Sequence, residues 1–240
     1  MGKHVSLERL TQNHFPDLYK NVGSHNDVWT WWPSGPFSTV SDFVHMLNAY
    51  LGTINLSTYA ILLLSGPHKG EAVGCAFAQY GEPLTNRVSE IGVLFGPQLQ
   101  KTRAATEVLS LLGCLLFEKL NYRRMAWKCD SLNLASRKAA DRYGLVYEGT
   151  LRQEQIVKGR NRDTCWYPMI DAEWPMCKKV YEKWLADEKL DEQQRQRSRM
   201  DEIREGLRYV GTRHVSPITN AETFDSRDKP ESLYNVVPRV

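Results

Sequence analysis

"FGPQLQKTRAATEVLSLLG", residues 95 to 113, joins the end of a strand to the start of a helix. A strand ends in Phe95-Gly96-Pro97, a basic turn follows, and an amphipathic helix begins near Thr102. A helix start offers unpaired backbone N–H groups and a partial positive charge, so it can hold phosphate through the main chain wherever the backbone can be approached. Glycine helps that approach but is not the donor. Here Ala104 and Ala105 are the small residues, Thr102 and Thr106 bring hydroxyls, and Lys101 and Arg103 bring charge. Neither the Walker pattern nor Gly-x-Gly-x-x-Gly is present, so an ordinary basic helix start at the surface is the competing reading.

Working outward, "HVSLERLTQNHFPDLYKNV" reads as a short strand and then a helix with Thr11 as N-cap. "STVSDFVHMLNAYLG" is a second helix, capped by Ser38 or Thr39, with Phe43, Met46, Leu47 and Tyr50 on one face. "YAILLLS" and "AVGCAFAQYG" are strands joined by the turn "GPHKGE", and "RVSEIGVLFG" is the strand that enters the quoted helix. "RRMAWKC" follows as a strand, "NLASRKAADRYG" as a helix ending at Gly144, and "YEGTLRQEQIV" and "DTCWYPMI" as a last pair around "KGRNR". Antiparallel hairpins on either side of one strand-helix-strand unit predict an α/β fold, a mixed and mostly antiparallel sheet with helices on its faces. A ligand in such a sheet sits at the carboxyl end of the strand entering the crossover helix, where the quoted loop lies.

Composition narrows the class. A chain of 240 residues with a formal net charge of +3 gives no reason to expect nucleic acid or an anionic membrane as partner. No apolar run reaches the roughly 18 residues of a membrane span, and no charged leader precedes an apolar core, so a cytoplasmic protein is expected. Cys75, Cys114, Cys129, Cys165 and Cys177 are odd in number and lack metal spacing, which predicts reduced thiols and no metal site. The core domain is expected over residues 1–175, a charged helical extension over 176–210 and a polar tail over 211–240. The extension alternates in charge sign and has a narrow apolar face, so it packs on the domain or on a second copy of the chain in a homodimer.

Four stretches, "SLERLTQNHFPDLYK", "EIGVLFGPQLQKTRAATEVLSLL", "AWKCDSLNLASRKAADRYGLVYEGTLRQ" and "KGRNRDTCWYPMIDAEWP", resemble the GNAT superfamily of acetyl-CoA-dependent N-acetyltransferases, and within it the RimJ/RimL-like branch. GNAT loops resemble Gln/Arg-x-x-Gly-x-Gly/Ala. Gln100 takes the first position, Arg103 stands where a glycine is expected, and Ala105 fills the last. The resemblance implies acetyl-CoA in a cleft between two splayed strands, "EIGVLF" and "RMAWKC". Its pantetheine would pair with the main chain near Leu94 and Phe95, and its pyrophosphate would rest on the amides from Lys101 to Thr106.

Transfer of an acetyl group to an amine needs a proton acceptor for the amine and a proton for the departing thiolate. No acyl-enzyme is required. By resemblance Asn133 bonds the pantetheine amides and Ser136 serves the sulfur; their structural alternative is to cap the helix, as Ser131 could. The tyrosine that many GNAT enzymes carry one turn further on is Ala140 here. Glu90, mid-strand among apolar residues, is the candidate base through a water, or else a carboxylate paired with an arginine across the sheet. Trp29, Trp31 and Trp32 lie where GNAT folds cover the acceptor, and either box an ammonium or simply pack. The acceptor is a small-molecule amine or a peptide N-terminus. The rival function is a scaffold that binds coenzyme A without turnover, which Arg103 and the missing tyrosine would suit.

Overall fold

The computed structural model describes residues 2–81, 84–186 and 198–208. Seven strands form one sheet: β1 (Val5–Arg9), β2 (Leu56–Leu63), β3 (Ala72–Tyr80), β4 (Val88–Phe95), β5 (Arg124–Asp130), β6 (Gly149–Val157) and β7 (Arg160–Ile170). Their spatial order is β1-β2-β3-β4-β5-β7-β6, antiparallel everywhere except between β4 and β5. The helices are α1 (Phe15–Leu18), α2 (Val40–Gly52), α3 (Arg103–Gly113), α4 (Leu134–Tyr143), α5 (Trp174–Leu185) and α6 (Met200–Arg208). This is the mixed sheet with flanking helices expected from the order of apolar runs and turns.

Strand alternation divides the side chains into two cores. Cys75, Phe77 and Leu94 face α1 and α2, where Phe43, Leu47 and Trp29 are buried. Ala76, Ile91, Met125, Trp127 and Tyr167 face the opposite side and meet α3 through Val108, Leu109 and Leu112. α2, α3 and α4 begin where a polar side chain accepts from a free amide of the first turn. Thr39 Oγ1 accepts from the Asp42 amide at 3.1 Å and Asn133 Oδ1 from the Ser136 amide at 3.0 Å, so Thr39 and Asn133 are the caps rather than Ser38 and Ser131. α4 stops at Gly144, whose φ of +88° only glycine adopts without strain.

Glu107, on α3, ties the helix to the first strand. Its buried carboxylate accepts from the amides of Lys3, His4 and Val5 at 2.7, 2.6 and 2.9 Å. A carboxylate surrounded by three N–H donors repays its loss of hydration, which a single bond would not.

α5 is more deeply set than its charge pattern suggests. Trp174, Cys177, Val180, Tyr181 and Trp184 are all buried in the core over α3 and α4, and the Tyr181 hydroxyl donates to the Tyr143 carbonyl at 2.9 Å. Trp174 stacks on Phe117 with centroids 5.5 Å apart and donates from Nε1 to Glu118 at 2.8 Å. Its ring lies against Gly113, where an added Cβ would come within 2.2 Å of it. Met200, on α6, is buried in the same cluster. Residues 187–197 and 209–210 of the charged extension, and the whole of the polar tail expected from 211 to 240, lie outside the described residues.

In an open helix interior, replacing glycine by alanine stabilises by about 1 kcal/mol. Gly113→Ala is expected to do the reverse, because Trp174 must move or α5 must shift. A urea midpoint that rises would show the contact with Trp174 to be slack.

Glu71 is held down to a pKa of about 2 by hydrogen bonds from Asn21, then His68, then Lys20. A folded pKa below the unfolded one gives stability that is present above about pH 4.5 and is lost as pH falls towards 2. Urea midpoints measured across that window should fall, and Glu71→Gln should flatten the fall without abolishing it, since Glu118 and Glu148 are lowered too, chiefly by Lys178 and Arg124.

Candidate active site

β4 and β5 pair in parallel over only four positions, Val88 to Ile91 against Arg124 to Trp127. Beyond them β4 stays with β3 as far as Phe95, and β5 stays with β7 as far as Asp130. The two strands part, and the edge of β4 from Gly92 to Phe95 that faces β5 has no ladder partner. A cleft of about 1420 Å³ fills the wedge and runs from the start of α3 to the tryptophans before α2. Strand amides and carbonyls at a cleft wall can pair with water or with a ligand that carries amides of its own, and here Gln100 Nε2 donates to the Phe95 carbonyl at 3.2 Å.

At one end lies the loop. Leu94, Phe95, Gln100, Lys101, Thr102, Arg103 and Ala105 line the cleft. Ala104 and Thr106 are buried on the inner side of α3, and the Thr106 hydroxyl accepts from Arg142 at 3.1 Å. Thr102 is the N-cap: its Oγ1 donates to the Leu99 carbonyl at 2.6 Å and accepts from the Ala105 amide at 3.2 Å. The missing glycine at Arg103 has a geometric explanation. Arg103 is the first helical residue, and the left-handed turn falls two positions earlier at Lys101, with φ of +62°. The Arg103 guanidinium reaches away to the Leu185 carbonyl at the end of α5, leaving the helix start open. Arg142, Tyr143 and Trp184 complete this wall, the guanidinium of Arg142 standing 4.8 Å from the Trp184 ring. Burial pushes the Tyr143 phenol above its usual range.

From the α4 side come Asn133 and Ser136, both lining the cleft. Asn133 spends Oδ1 on the cap and keeps its amide NH₂ group. Ser136 Oγ accepts from Trp127 Nε1 at 2.9 Å, so the hydroxyl proton is directed elsewhere. Beside it the Cys129 thiol is pushed up by burial and remains protonated.

Glu90 approaches from the other face of the sheet. It stands opposite Gln79 and beside Ala126 in register, and its Oε2 meets Lys128 Nζ at 2.6 Å. Lys128 also lies 4.0 Å above the Trp166 ring. The partner across the splay is thus a lysine. Trp31 and Trp32 line the cleft over this face, Trp32 packing on Phe77 at 5.8 Å. Trp29 is 0 % exposed, with Phe37 at 4.9 Å, and belongs to the core beneath them.

The β6–β7 hairpin supplies residues that the turn-like reading of "KGRNR" passes over. Lys158 donates to the Trp29 carbonyl at 2.7 Å, Arg160 pairs with Asp130 and stands 5.7 Å from the Trp31 ring, and Gln155 and Arg162 line the cleft. Period-two alternation of Arg160, Arg162, Thr164 and Trp166 is the signal that could have found them. Among the described residues no group of three or more His, Cys, Asp or Glu side chains is placed to hold a metal, and no helix is long and apolar enough to cross a membrane.

The model of the acetyltransferase (GNAT) domain matches residues 4–146, more than half of the chain. A GCN5-related N-acetyltransferase from Brucella melitensis superposes with a TM-score of 0.80 at 34 % identity, over 85 % of this chain and 93 % of that one. A probable acetyltransferase (GNAT family) from Chromobacterium violaceum gives 0.67 at 37 %, over 73 % and 87 %. The spermidine N-acetyltransferase of Vibrio cholerae, solved in complex with CoA and spermine, shares the fold at 0.59 and 14 % identity, over 72 % and 99 %. No curated protein matches the chain. The splayed strands, the helix that starts at their mouth and these likenesses agree: the chain belongs to the GNAT acetyltransferase family and is an acyltransferase.

Proposed function

We propose that the protein is a cytoplasmic acetyl-CoA-dependent N-acetyltransferase of the RimJ/RimL-like branch, acting on the amine of a small molecule or a peptide by direct transfer. The observation that carries this reading is the arrival of two polar groups at the splay from opposite faces of the sheet. Ser136 comes with α4, and Glu90 comes from the α1–α2 face.

The residues present fit the co-substrate. The open edge of β4 suits the amides of pantetheine, the small-residue start of α3 suits a pyrophosphate, and the cleft volume of about 1420 Å³ is ample. Leu94, Phe95, Asn133 and the amides from Lys101 to Thr106 are the residues we assign to holding it. In the transfer it supplies, the acceptor ammonium first gives one proton through Glu90 and a water to solvent; then a nitrogen–carbon bond forms, the carbon–sulfur bond breaks, nitrogen loses a second proton and sulfur gains one. Ser136 donates towards the sulfur, its oxygen already oriented by Trp127. Trp31 and Trp32 offer ring faces to the incoming ammonium before it is deprotonated. No side chain need form an acyl intermediate, and the buried protonated Cys129 is a poor nucleophile.

Coenzyme A at 100 times its Kd is expected to stabilise the fold by about 2.7 kcal/mol, read as a rise of several degrees in Tm. An unmoved Tm in a folded sample would remove the co-substrate from the reading.

Ser136→Ala should lower kcat by about 10- to 100-fold while changing acetyl-CoA binding less than about threefold, because its donation matters most as the thiolate leaves. Glu90→Gln should lower kcat by about 100-fold at neutral pH and recover part of it in alkali, where the free amine needs no base. Pre-steady-state thiol release with both variants checks these, and unchanged rates would return Ser136 to its helix turn and Glu90 to its ion pair.

A further inference from the structure

Arg162 lines the cleft, and no carboxylate among the described residues pairs with it. It stands on β7 opposite Gln155 of β6, and both line the cleft. The other basic side chains of that region are engaged: Lys128 by Glu90, Arg160 by Asp130 and Lys158 by the carbonyl of Trp29. Among the described residues Arg162 makes no ion pair, and its buried Nε has no hydrogen-bond partner. Thr164, next on the same face of the strand, is fully buried, and its hydroxyl also lacks a partner.

A buried N–H without an acceptor is costly, more so on a charged group. The guanidinium presents a planar fork whose natural complement is a carboxylate. Across the same cleft stand Trp31 and Trp32, whose indole rings suit an ammonium, and the Glu90 carboxylate, which that ammonium would share with Lys128. One end thus attracts a cation and the other an anion, the pattern of a zwitterion. We propose that Arg162 binds a carboxylate on the acceptor, so that the substrate class is an amine that also carries a carboxylate, an amino acid or short peptide, rather than a polyamine. This rests on the acetyl-transfer reading above and refines it.

The test uses matched acceptors that differ only in carboxylate against carboxamide, with the full chain, Arg162→Gln and Arg162→Lys. Thiol release gives kcat/KM, and calorimetric titration of the coenzyme A-loaded protein gives binding independently of turnover. The wild type should favour the carboxylate by about 10- to 100-fold, as a charge-assisted bond does. Arg162→Gln should bring that ratio close to one, with Arg162→Lys in between. A wild-type ratio near one, or a ratio that survives Arg162→Gln, overturns the inference while leaving acetyl transfer standing, and would mean that water satisfies the guanidinium. Where neither member of a pair turns over, carboxylate-dependent heat that disappears in Arg162→Gln supports it, and the absence of such heat overturns it. Failure of coenzyme A to bind at all overturns the acetyl-transfer reading and this refinement with it.

Discussion

The structure depends on a ladder that stops early. Among the described residues β4 and β5 are the one parallel strand pair of the sheet, and they hold together for four residues before each follows its other neighbour. Parallel pairing is slightly weaker per residue than antiparallel pairing, so a parting sheet gives way most cheaply there. The strands remain in place because β3 and β7 grip their outer edges throughout. The result is a slot through the middle of the sheet, walled by backbone, with helix starts at its rim. The groups proposed for the chemistry need only be delivered to that slot, and the two faces of the sheet deliver them separately.

Much of this was legible in the sequence because the sheet is built from short apolar runs with sharp punctuation. "GPHKGE" between β2 and β3 and Gly144 after α4 are turn signals with a steric cause, and the strand and helix order follows from them. α5 was harder to weigh. Its apolar residues Val180, Tyr181 and Trp184 are few among lysines and glutamates, yet the side chains are large and each is buried. A narrow stripe of big residues can cover as much core as a broad stripe of small ones, and the sequence does not state that Gly113 has left room for Trp174.

The site was legible in part for a similar reason. Glu90, Ser136, Asn133 and the loop from Gln100 to Arg103 stand at the cleft because local periodicity and the strand-to-helix transition determine where they point. Contacts between distant segments are another matter. Lys128 across the splay from Glu90, Trp127 behind Ser136, and the β6–β7 hairpin leaning on Trp29 and Trp31 depend on which strands become neighbours. The position of Trp29 beneath the other two tryptophans likewise follows from its packing on Phe37 and Phe43, which a cluster of tryptophan letters cannot reveal.

The contact between Arg103 and the Leu185 carbonyl has a mechanical meaning. A side chain from the first turn of α3 closes the last turn of α5, so the loop at the cleft mouth and the end of α5 share a fastening. Fraying of that helix loosens the loop, and anything that orders the loop discourages the fraying, because such a linkage is reciprocal. The rim of the cleft and the last turn of α5 are in this sense one hinge leaf.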